Sequence, residues 1–388
     1  MNIIEILIHG ARNFVVGGKQ TVVDLYNTDP KELWQEIMSL DYRVHTSLIL
    51  MISVTVGFLG LFAYANLFGE DSKPGQPRET RGVVKRPGDP EHPPPTEVIS
   101  LRVYPIKSCR GFEVGSTRLR KAGLTLDRNW MFISKDDGKF MTIRSDASMT
   151  LIDTAVVDSD EPVAADGLRP QHLEISIHGT DARVVIPAFP SKQWLDENTT
   201  LRKVEIWEQE TDGYEYGEDI NAMFSKYFNK PCSLIYKGPT ARHTGVNGSE
   251  ELYGTATAHH FADVMSLQVA SQASITDLNR RLQKKYPEDS AQTIQELTIE
   301  RFRPNIIVRG REDHPWEEDT WKRVRLSTTI HEEEALYNID LDVVARCARC
   351  QVPNVNPDTA EKHAKEPWDE LMKYVVPALP PRATFVAF

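Results

Sequence analysis

The chain has 388 residues, of which 40% are hydrophobic and 26% charged, so it is long enough for two domains with buried cores. Its formal net charge of −11 argues against nucleic acid as a partner, because the phosphates would repel it. Four scattered cysteines are too few for a disulfide framework and favour a reducing compartment.

The most conspicuous local feature is an uncharged apolar stretch near the N-terminus. No acidic residue, lysine or arginine lies between Arg43 and Glu70, and residues 47–67 are mostly apolar. An α-helix of that length spans roughly 30 Å, the thickness of a bilayer core. A cleaved signal peptide would begin earlier, and a core helix would show a polar stripe. We therefore predict a transmembrane helix at 46–68, after an N-terminal extension at 1–45.

The charge on either side of this segment predicts its orientation. Only Lys31 and Arg43 lie close before it, whereas basic residues are more frequent after it. Those that follow are Lys73, Arg78, Arg81, Lys85 and Arg86. The excess places the C-terminal part in the cytosol. Residues 69–96, rich in proline, glycine and charge, are predicted to be a tether.

Short strands dominate from residue 97 onward. The alternation of Ile99, Leu101 and Val103 with polar residues predicts a half-buried strand. Further strands are predicted at residues 130–134, 140–144, 173–177, 183–187, 203–209, 233–237, 304–310 and 339–347, the first two and the next two forming hairpins.

Helices are fewer, at residues 219–228 and 274–283, the second with a capping box between Ser274 and Asp277. The pattern predicts a mixed α/β protein. Residues 97–235 would form a smaller N-terminal α/β module, and residues 236–388 a β-barrel-like catalytic domain.

Cys347 and Cys350 form a CxxC pair that is compatible with half a zinc site or a redox dithiol. Cys109 and Cys232 supply no second pair, and these two are predicted to be packing residues, as is Cys347. Because arginines flank the CxxC sulfurs, a thiolate that binds a soft metal is a further interpretation.

Basic residues at three predicted strand ends, Lys107, Arg128 and Arg303, are consistent with a phosphate-bearing ligand. Each one alone is more typical of a surface ion pair. Arg144 either reaches the same site or pairs locally.

Two further sets of residues are assigned structural roles. The adjacent His259 and His260 are predicted to lie at the surface rather than to bind a metal. Trp316 and Trp321 are predicted to lie in the core or at its rim.

Together, the segments VYPIKSC, LDRNWMFI, SLQVASQASITDLN, RFRPNIIVRG and RCARCQVPNVNPDT resemble the motifs of MOSC-domain proteins, in particular the mitochondrial amidoxime-reducing components. The resemblance implies a molybdenum cofactor with Cys350 as the catalytic metal ligand. The cofactor-binding residues that it implies are Lys107, Ser108, Arg128, Ser271, Arg303 and Asn305.

The same resemblance implies a membrane-anchored oxidoreductase that reduces N-hydroxylated compounds such as amidoximes and hydroxamic acids. The chain shows no nucleotide-binding glycine motif and no iron–sulfur or haem pattern, so electrons are expected from cytochrome b5 and NADH-cytochrome b5 reductase. The mitochondrial outer membrane is the favoured location and the endoplasmic reticulum the alternative. A molybdenum-cofactor carrier without turnover is the alternative function.

Two features depart from the family pattern, and one family cofactor is not expected. Cofactor sulfurases also carry MOSC modules, but no pyridoxal phosphate domain precedes residue 97, so pyridoxal phosphate is not expected. Ala360 stands where the family usually has glycine, which predicts a changed turn. The last residues do not match the family's closing strands, which predicts an unpaired sheet edge.

Overall fold

A computed structural model describes residues 15–16, 19–20, 94–158, 170–243, 258–287, 294–329, 336–347, 350–373 and 386–387. The chain divides into two compact units, residues 1–83 and 84–388. The predicted membrane helix at 46–68 and the tether up to residue 93 lie outside the described residues. Within the described ranges, no helix combines the length and the apolar character that crossing a bilayer requires.

The strands of the described residues are as follows in chain order: β1 (Val15–Val16), β2 (Lys19–Gln20), β3 (Val98–Val103), β4 (Phe112–Val114), β5 (Leu119–Arg120), β6 (Gly123–Leu124), β7 (Trp130–Ser134), β8 (Ile152–Asp158), β9 (Gln171–Ile177), β10 (Arg183–Pro187), β11 (Thr199–Ile206), β12 (Gln209–Tyr216), β13 (Cys232–Lys237), β14 (Arg242–His243), β15 (Ala258–His259), β16 (Gln268–Ser271), β17 (Ile306–Val308), β18 (Arg323–Thr329), β19 (Leu336–Asp342), β20 (Ala345–Arg346) and β21 (Val386–Ala387). The α-helices are α1 (Lys192–Asn198), α2 (Glu218–Phe228), α3 (Gln272–Lys285) and α4 (Trp368–Lys373). Short 3₁₀ helices lie at Ala147–Leu151, Ile299–Phe302, Glu317–Thr320 and Val352–Asn354.

The largest sheet has the order β20-β21-β16-β17-β3-β4. Strands β16 and β17 are parallel and are joined through α3, whereas the other neighbours in this sheet are antiparallel. A parallel pair needs such a crossover connection, because a tight turn cannot return the chain to the same edge. The starts of β16, β17 and β20 therefore lie at one edge of the sheet, together with the end of β3.

Two antiparallel sheets, β11-β12-β13-β7 and β10-β9-β8, belong to the N-terminal half of the second unit. Helix α2 packs on the first of them, and its Phe224 ring lies 4.8 Å from the ring of Phe132. The acidic Glu218 and Asp219 occupy the first turn of α2 and complement its dipole. Trp130, completely buried, donates from Nε1 to the Tyr216 hydroxyl over 3.1 Å. Mixed α/β architecture is thus confirmed.

Most predicted elements are present, with informative differences. The hairpin of β9 and β10 is confirmed, but the strand predicted at residues 140–144 is reduced to one bridge, between Ile133 and Phe140. The strand predicted at 203–209 was wrong at its end, because Trp207 and Glu208 form the turn between β11 and β12.

The capping box was also wrong, because α3 begins at Gln272. The Ser274 hydroxyl lies inside that helix and donates to Glu318 over 2.6 Å instead of capping. The unpaired edge expected at the end of the chain is occupied, since β21 pairs with both β16 and β20.

Candidate functional site

A cavity of about 440 Å³ opens at the sheet edge where β16, β17 and β20 start and where the chain leaves β3. Its described lining consists of Lys107, Ser108, Arg128, Ile143, Arg144, Phe261, Ala262, Asp263, Val264, Met265, Leu267, Gln268, Arg301, Phe302, Arg303, Asn305, Val344, Ala345, Cys347, Cys350, Val352 and Pro353. Five of these side chains are basic and one is acidic. In a chain of net charge −11, this concentration of positive charge favours an anionic ligand.

Six of the seven residues predicted for the site line this cavity: Lys107, Ser108, Arg128, Arg303, Asn305 and Cys350. Ser271 does not belong to the described lining. It ends β16, whereas the cavity lies at the strand's start, at Gln268. Three residue steps along a strand correspond to about 10 Å, so Ser271 lies that far along β16 from the end that opens on the cavity.

Asn305 organises one wall of the cavity. Its Oδ1 accepts hydrogen bonds from Arg128 Nη1 over 3.1 Å and from Gln268 N over 3.2 Å. Its Nδ2 donates to Arg102 O over 3.2 Å and to Asp127 Oδ1 over 2.9 Å. The amide thereby uses both its donors and both its acceptor positions. Asn305 therefore holds Arg128 in place and has no bond left for a ligand.

Two arginines stack on the buried ring of Tyr104. The guanidinium carbons of Arg128 and Arg303 lie 4.7 Å and 4.4 Å from the ring centroid. Cation–π attraction fixes both planar groups at the cavity wall. Burial, reinforced by the like charge of Arg128, lowers the pKa of Arg303 to about 10. No carboxylate of the described residues forms a salt bridge with Arg303. An anion in the cavity would therefore offset the free-energy cost of burying the charge of Arg303.

At the other end of the cavity, Asp263 joins two cations and an indole. Its carboxylate forms a salt bridge with Lys107 and accepts hydrogen bonds from Arg144 and Trp207, each over 3.2 Å. Burial raises the pKa of Asp263, but the attraction of Lys107 and Arg144 outweighs burial and holds the pKa below its usual range. Burial also lowers the pKa of Lys107 to about 8, although Asp263 opposes this shift.

Arg144 connects this cluster to the predicted metal ligand. Its Nη2 lies 3.5 Å from Cys350 Sγ and also donates to Asp263. Of the two roles considered for Arg144, the structure supports the first, since it reaches the site and its carboxylate partner there is 119 positions away in the chain.

Left-handed backbone occurs at three of the predicted ligand residues. The φ angles of Ser108, Arg128 and Arg303 are 70°, 51° and 59°. Residues with a Cβ adopt this conformation at a cost of about 1 kcal/mol or more each. Such strain concentrates at functional sites, where the surrounding structure fixes the side-chain direction. The three positions lie just beyond β3, just before β7 and just before β17.

Several cavity residues were not predicted, namely Asp263, Gln268 and Arg301. Asp263 is an isolated acid in an apolar sequence, and its partners Lys107 and Arg144 are more than 100 residues away. Local sequence therefore carries no signal for it. Cys347, predicted to be a packing residue, packs on the core beneath α3 and also lines the cavity.

Other predictions have mixed outcomes. Cys109 and Cys232 are completely buried in the main core, which confirms their packing role. His259, predicted at the surface, is buried in β15, so that prediction was wrong. Trp316 packs on the second core cluster, as predicted. The described residues include no group of three or more His, Cys, Asp or Glu that could hold a metal ion.

Three residues that line the cavity each have a buried donor that makes no hydrogen bond with any described residue. The donors are Gln268 Nε2, Arg301 Nε and Arg303 Nη2. Buried donors without acceptors are rare in native proteins, and a bound ligand is one explanation. A phosphate would supply several acceptor oxygens. The donors, the positive charge and the Cys350 sulfur together fit a cofactor that combines a soft metal with a phosphate.

Comparison with known families agrees with this arrangement. Residues 96–231 match the family described as "MOSC N-terminal beta barrel domain", and residues 256–384 match the "MOSC domain". The chain belongs to the MOSC-domain family. The β barrel in the family description is assigned to the N-terminal domain, whereas the sequence had led us to expect a barrel in the C-terminal domain.

Two kinds of relative are found. The chain is 27% identical over 284 residues to "Mitochondrial amidoxime reducing component 2" of Rattus norvegicus, covering 71% of this chain and 72% of the relative. It is 26% identical over 267 residues to "Molybdenum cofactor sulfurase" of Danio rerio and 29% over 280 residues to that of Arabidopsis thaliana. Those alignments cover 68% and 71% of this chain but only 29% and 31% of the sulfurases.

A solution structure of a Bordetella bronchiseptica protein overlaps 32% of this chain and 91% of that protein. Its TM-score of 0.23 and its 15% identity carry no argument. A relation to molybdenum cofactor chemistry therefore rests on the family and on the named relatives.

Proposed function

We propose that this chain is a molybdenum-cofactor oxidoreductase that reduces N-hydroxylated compounds such as amidoximes and hydroxamic acids. The observation that carries the proposal is the position of the Cys350 sulfur in a cavity whose described lining has five basic side chains and one acidic side chain. The relatives named as amidoxime reducing components support the choice of substrate class.

The residues present fit the cofactor. Cys350 would bind the metal, while Lys107, Arg128 and Arg303 would neutralise the phosphate and Ser108 would donate a hydrogen bond to it. Asn305 would act through Arg128, which it holds. When bound, the cofactor supplies two-electron chemistry that removes an oxygen atom from nitrogen.

The overall reaction fixes what the protein must deliver. An amidoxime with two electrons and two protons yields the amidine and water, as the N–O bond breaks. We propose cytochrome b5, reduced by NADH-cytochrome b5 reductase, as the electron source. We further propose that a helix at residues 46–68 anchors the chain in the mitochondrial outer membrane, with its catalytic part in the cytosol. Electron-transfer partners bound to the same membrane would then have a higher effective concentration at the catalytic part.

The test uses the full-length chain, purified in detergent from a host that makes molybdenum cofactor. Bound molybdenum is measured first, and benzamidoxime reduction is then followed with NADH, cytochrome b5 and its reductase. Turnover with bound metal is the expected result. A chemical one-electron donor run in parallel separates the chemistry from the choice of donor, since turnover with that donor alone would refute only the cytochrome.

Matched cysteine variants test the metal ligand. Cys350→Ala should abolish turnover and lower the molybdenum content, whereas Cys347→Ala, which removes the other thiol of the cavity, should be milder. The reverse order would show that Cys347 is the ligand.

The alternative is a cofactor carrier without turnover, which the similarity to the cofactor sulfurases favours. A carrier would bind molybdenum but would reduce neither amidoximes nor hydroxamic acids with any donor, and it would release the cofactor to an apo-enzyme. Bound metal without turnover would therefore refute the oxidoreductase function and support the carrier function. Absence of both metal and turnover would refute the two functions together.

A further inference from the structure

The turn between β11 and β12 has an unusual composition. Ile206 pairs with Gln209, so Trp207 and Glu208 form a two-residue hairpin turn, with φ angles of 50° and 62°. Turns with two left-handed residues strongly prefer Asn-Gly, because most side chains are strained there. A tryptophan in this conformation is an outlier. Strain that persists at one position indicates that the direction of this side chain matters.

The indole is held at the cavity by contacts on several sides. Its Nε1 donates to Asp263 over 3.2 Å, and its ring meets Phe140 edge-on at 4.9 Å. The guanidinium of Arg144 lies 5.1 Å from the ring centroid, and Lys107 Nζ lies at 6.0 Å. Three of these four partners line the cavity, although Trp207 itself does not. The ring is therefore held against residues that line the cavity, and we call Trp207 together with Val264 the rim of the cavity.

This rim is both apolar and accessible. Trp207 is 43% exposed despite its four contacts, and Val264, which lines the cavity, is 46% exposed. One guanidinium, that of Arg144, separates the indole from the Cys350 sulfur. A compound whose reacting group lies at the sulfur and whose other end points past Arg144 would reach the indole. A flat, rigid, exposed ring in that position favours stacking with another flat group.

We propose that Trp207 is a specificity-determining residue that stacks on the flat aromatic substituent of an N-hydroxylated substrate. The proposal rests on the proposed function for the identity of the substrate, and it adds the class of substituent that is preferred. Aryl amidoximes are therefore better substrates than short alkyl amidoximes, and the difference depends on the ring of Trp207.

The test compares two probes, benzamidoxime and acetamidoxime, on the full-length molybdenum-loaded protein. Trp207→Leu keeps an apolar cover over Phe140 but removes the flat ring. Trp207→Phe keeps a flat ring but removes the hydrogen bond to Asp263. The KM for acetamidoxime divided by the KM for benzamidoxime measures the preference for the aromatic probe. This ratio should fall about two- to tenfold in the leucine variant, the range expected for one aromatic contact. The phenylalanine variant should retain most of the preference.

Binding without turnover provides a second readout. Calorimetric titration of each probe into the oxidised protein, with no electron donor present, should show the same loss of preference for benzamidoxime. Glu208→Gly is the matched control at the neighbouring turn position. It should raise Tm by about 2–4 °C by relieving left-handed strain and leave both KM values unchanged.

An equal loss of the preference for benzamidoxime in the leucine and phenylalanine variants would overturn the proposal, because it would show that the preference depends on the hydrogen bond with Asp263. An unchanged ratio in the leucine variant with normal molybdenum content would also overturn it. If the wild type reduces neither probe, the proposed function fails, and the titrations still decide whether the indole prefers the aromatic compound. Loss of molybdenum from both Trp207 variants would mark the residue as structural and refute the specificity role.

Discussion

Arg144 Nη2 lies 3.5 Å from Cys350 Sγ, although the two residues are 206 positions apart in the chain. The same nitrogen donates to Asp263 over 3.2 Å, and the guanidinium lies over the Trp207 ring. One arginine thus links the carboxylate, the rim indole and the sulfur that is proposed to bind molybdenum. Its position depends on Asp263, which also pairs with Lys107.

Arg144 is expected to act as a positioning residue for the sulfur. Arg144→Gln removes the charge beside Sγ, and kcat should fall about tenfold or more, since a charge-assisted hydrogen bond contributes about 1.5–3 kcal/mol. Arg144→Lys should recover part of the rate. The measurement is steady-state kinetics together with the electron paramagnetic resonance spectrum of Mo(V), which should shift in the glutamine variant.

The control for Arg144 is Arg202→Gln, which removes an exposed arginine that pairs with Glu215 in another sheet. This variant should leave both the rate and the spectrum unchanged. A wild-type rate and spectrum in Arg144→Gln would mean that the contact with Sγ has no part in positioning the sulfur.

Asn305 and Ser271 should behave differently, although both were predicted to bind the cofactor. Asn305→Ala removes four hydrogen bonds made by a buried side chain, so the free energy of unfolding of the cofactor-free protein should fall by about 2–3 kcal/mol. Ser271→Ala, at the far end of β16, should cost less than about 1 kcal/mol and leave the molybdenum content unchanged.

Urea denaturation and metal analysis measure these two effects. Loss of molybdenum from Ser271→Ala at normal stability would return Ser271 to the cofactor site. It would also show that the site extends beyond the cavity at the start of β16.

Stability should fall on mild acidification because of His259. Burial, with the neighbouring charge of Arg242, lowers the pKa of His259 to about 4 from an ordinary value of 6.5. Between these values the unfolded chain binds a proton that the folded protein does not, so stability rises with pH across this window. At 1.36 kcal/mol per pH unit, the loss from pH 6.5 to pH 4 is up to about 3 kcal/mol.

The check is urea denaturation at pH 7 and pH 4.5. His259→Gln should show a smaller loss between these two pH values than the wild type. Because carboxylates titrate in both proteins, only the difference between the two losses reports on the histidine. Identical pH dependence in both proteins would contradict the assignment.

Ala360 offers a stabilising substitution. The turn predicted to change there places Ala360 at a φ of 59°, with its amide donating to Asn356 O over 2.9 Å. Glycine adopts this conformation without the clash of a Cβ, so Ala360→Gly should stabilise the protein by about 1 kcal/mol. A shift in the thermal unfolding midpoint measures it. Destabilisation by this substitution would mean that the alanine methyl group has packing contacts that outweigh the strain.

Sequence alone determined the strand-rich pattern, the hairpin of β9 and β10 and the two longer helices, and the resemblance of its motifs to those of MOSC-domain proteins implied six of the residues that line the cavity. These features are encoded locally, in the alternation of apolar residues and in short motifs such as YPIKS and RFRPN. The position of the Trp207 indole is not predictable from sequence. The apolar alternation of KVEIWEQ continues through the turn, and the left-handed backbone of that turn has no sequence signature.

Tertiary structure decided which of the motif residues meet. Gln268 and Ser271 belong to one motif, yet only the strand's start faces the cavity, because strand direction in the sheet sets which end is at the site. Asp263 belongs to the site for the same kind of reason, since its cationic partners, Lys107 and Arg144, come from loops over 100 residues away. The role of a charged residue in an apolar segment depends on the charged residues that folding brings beside it.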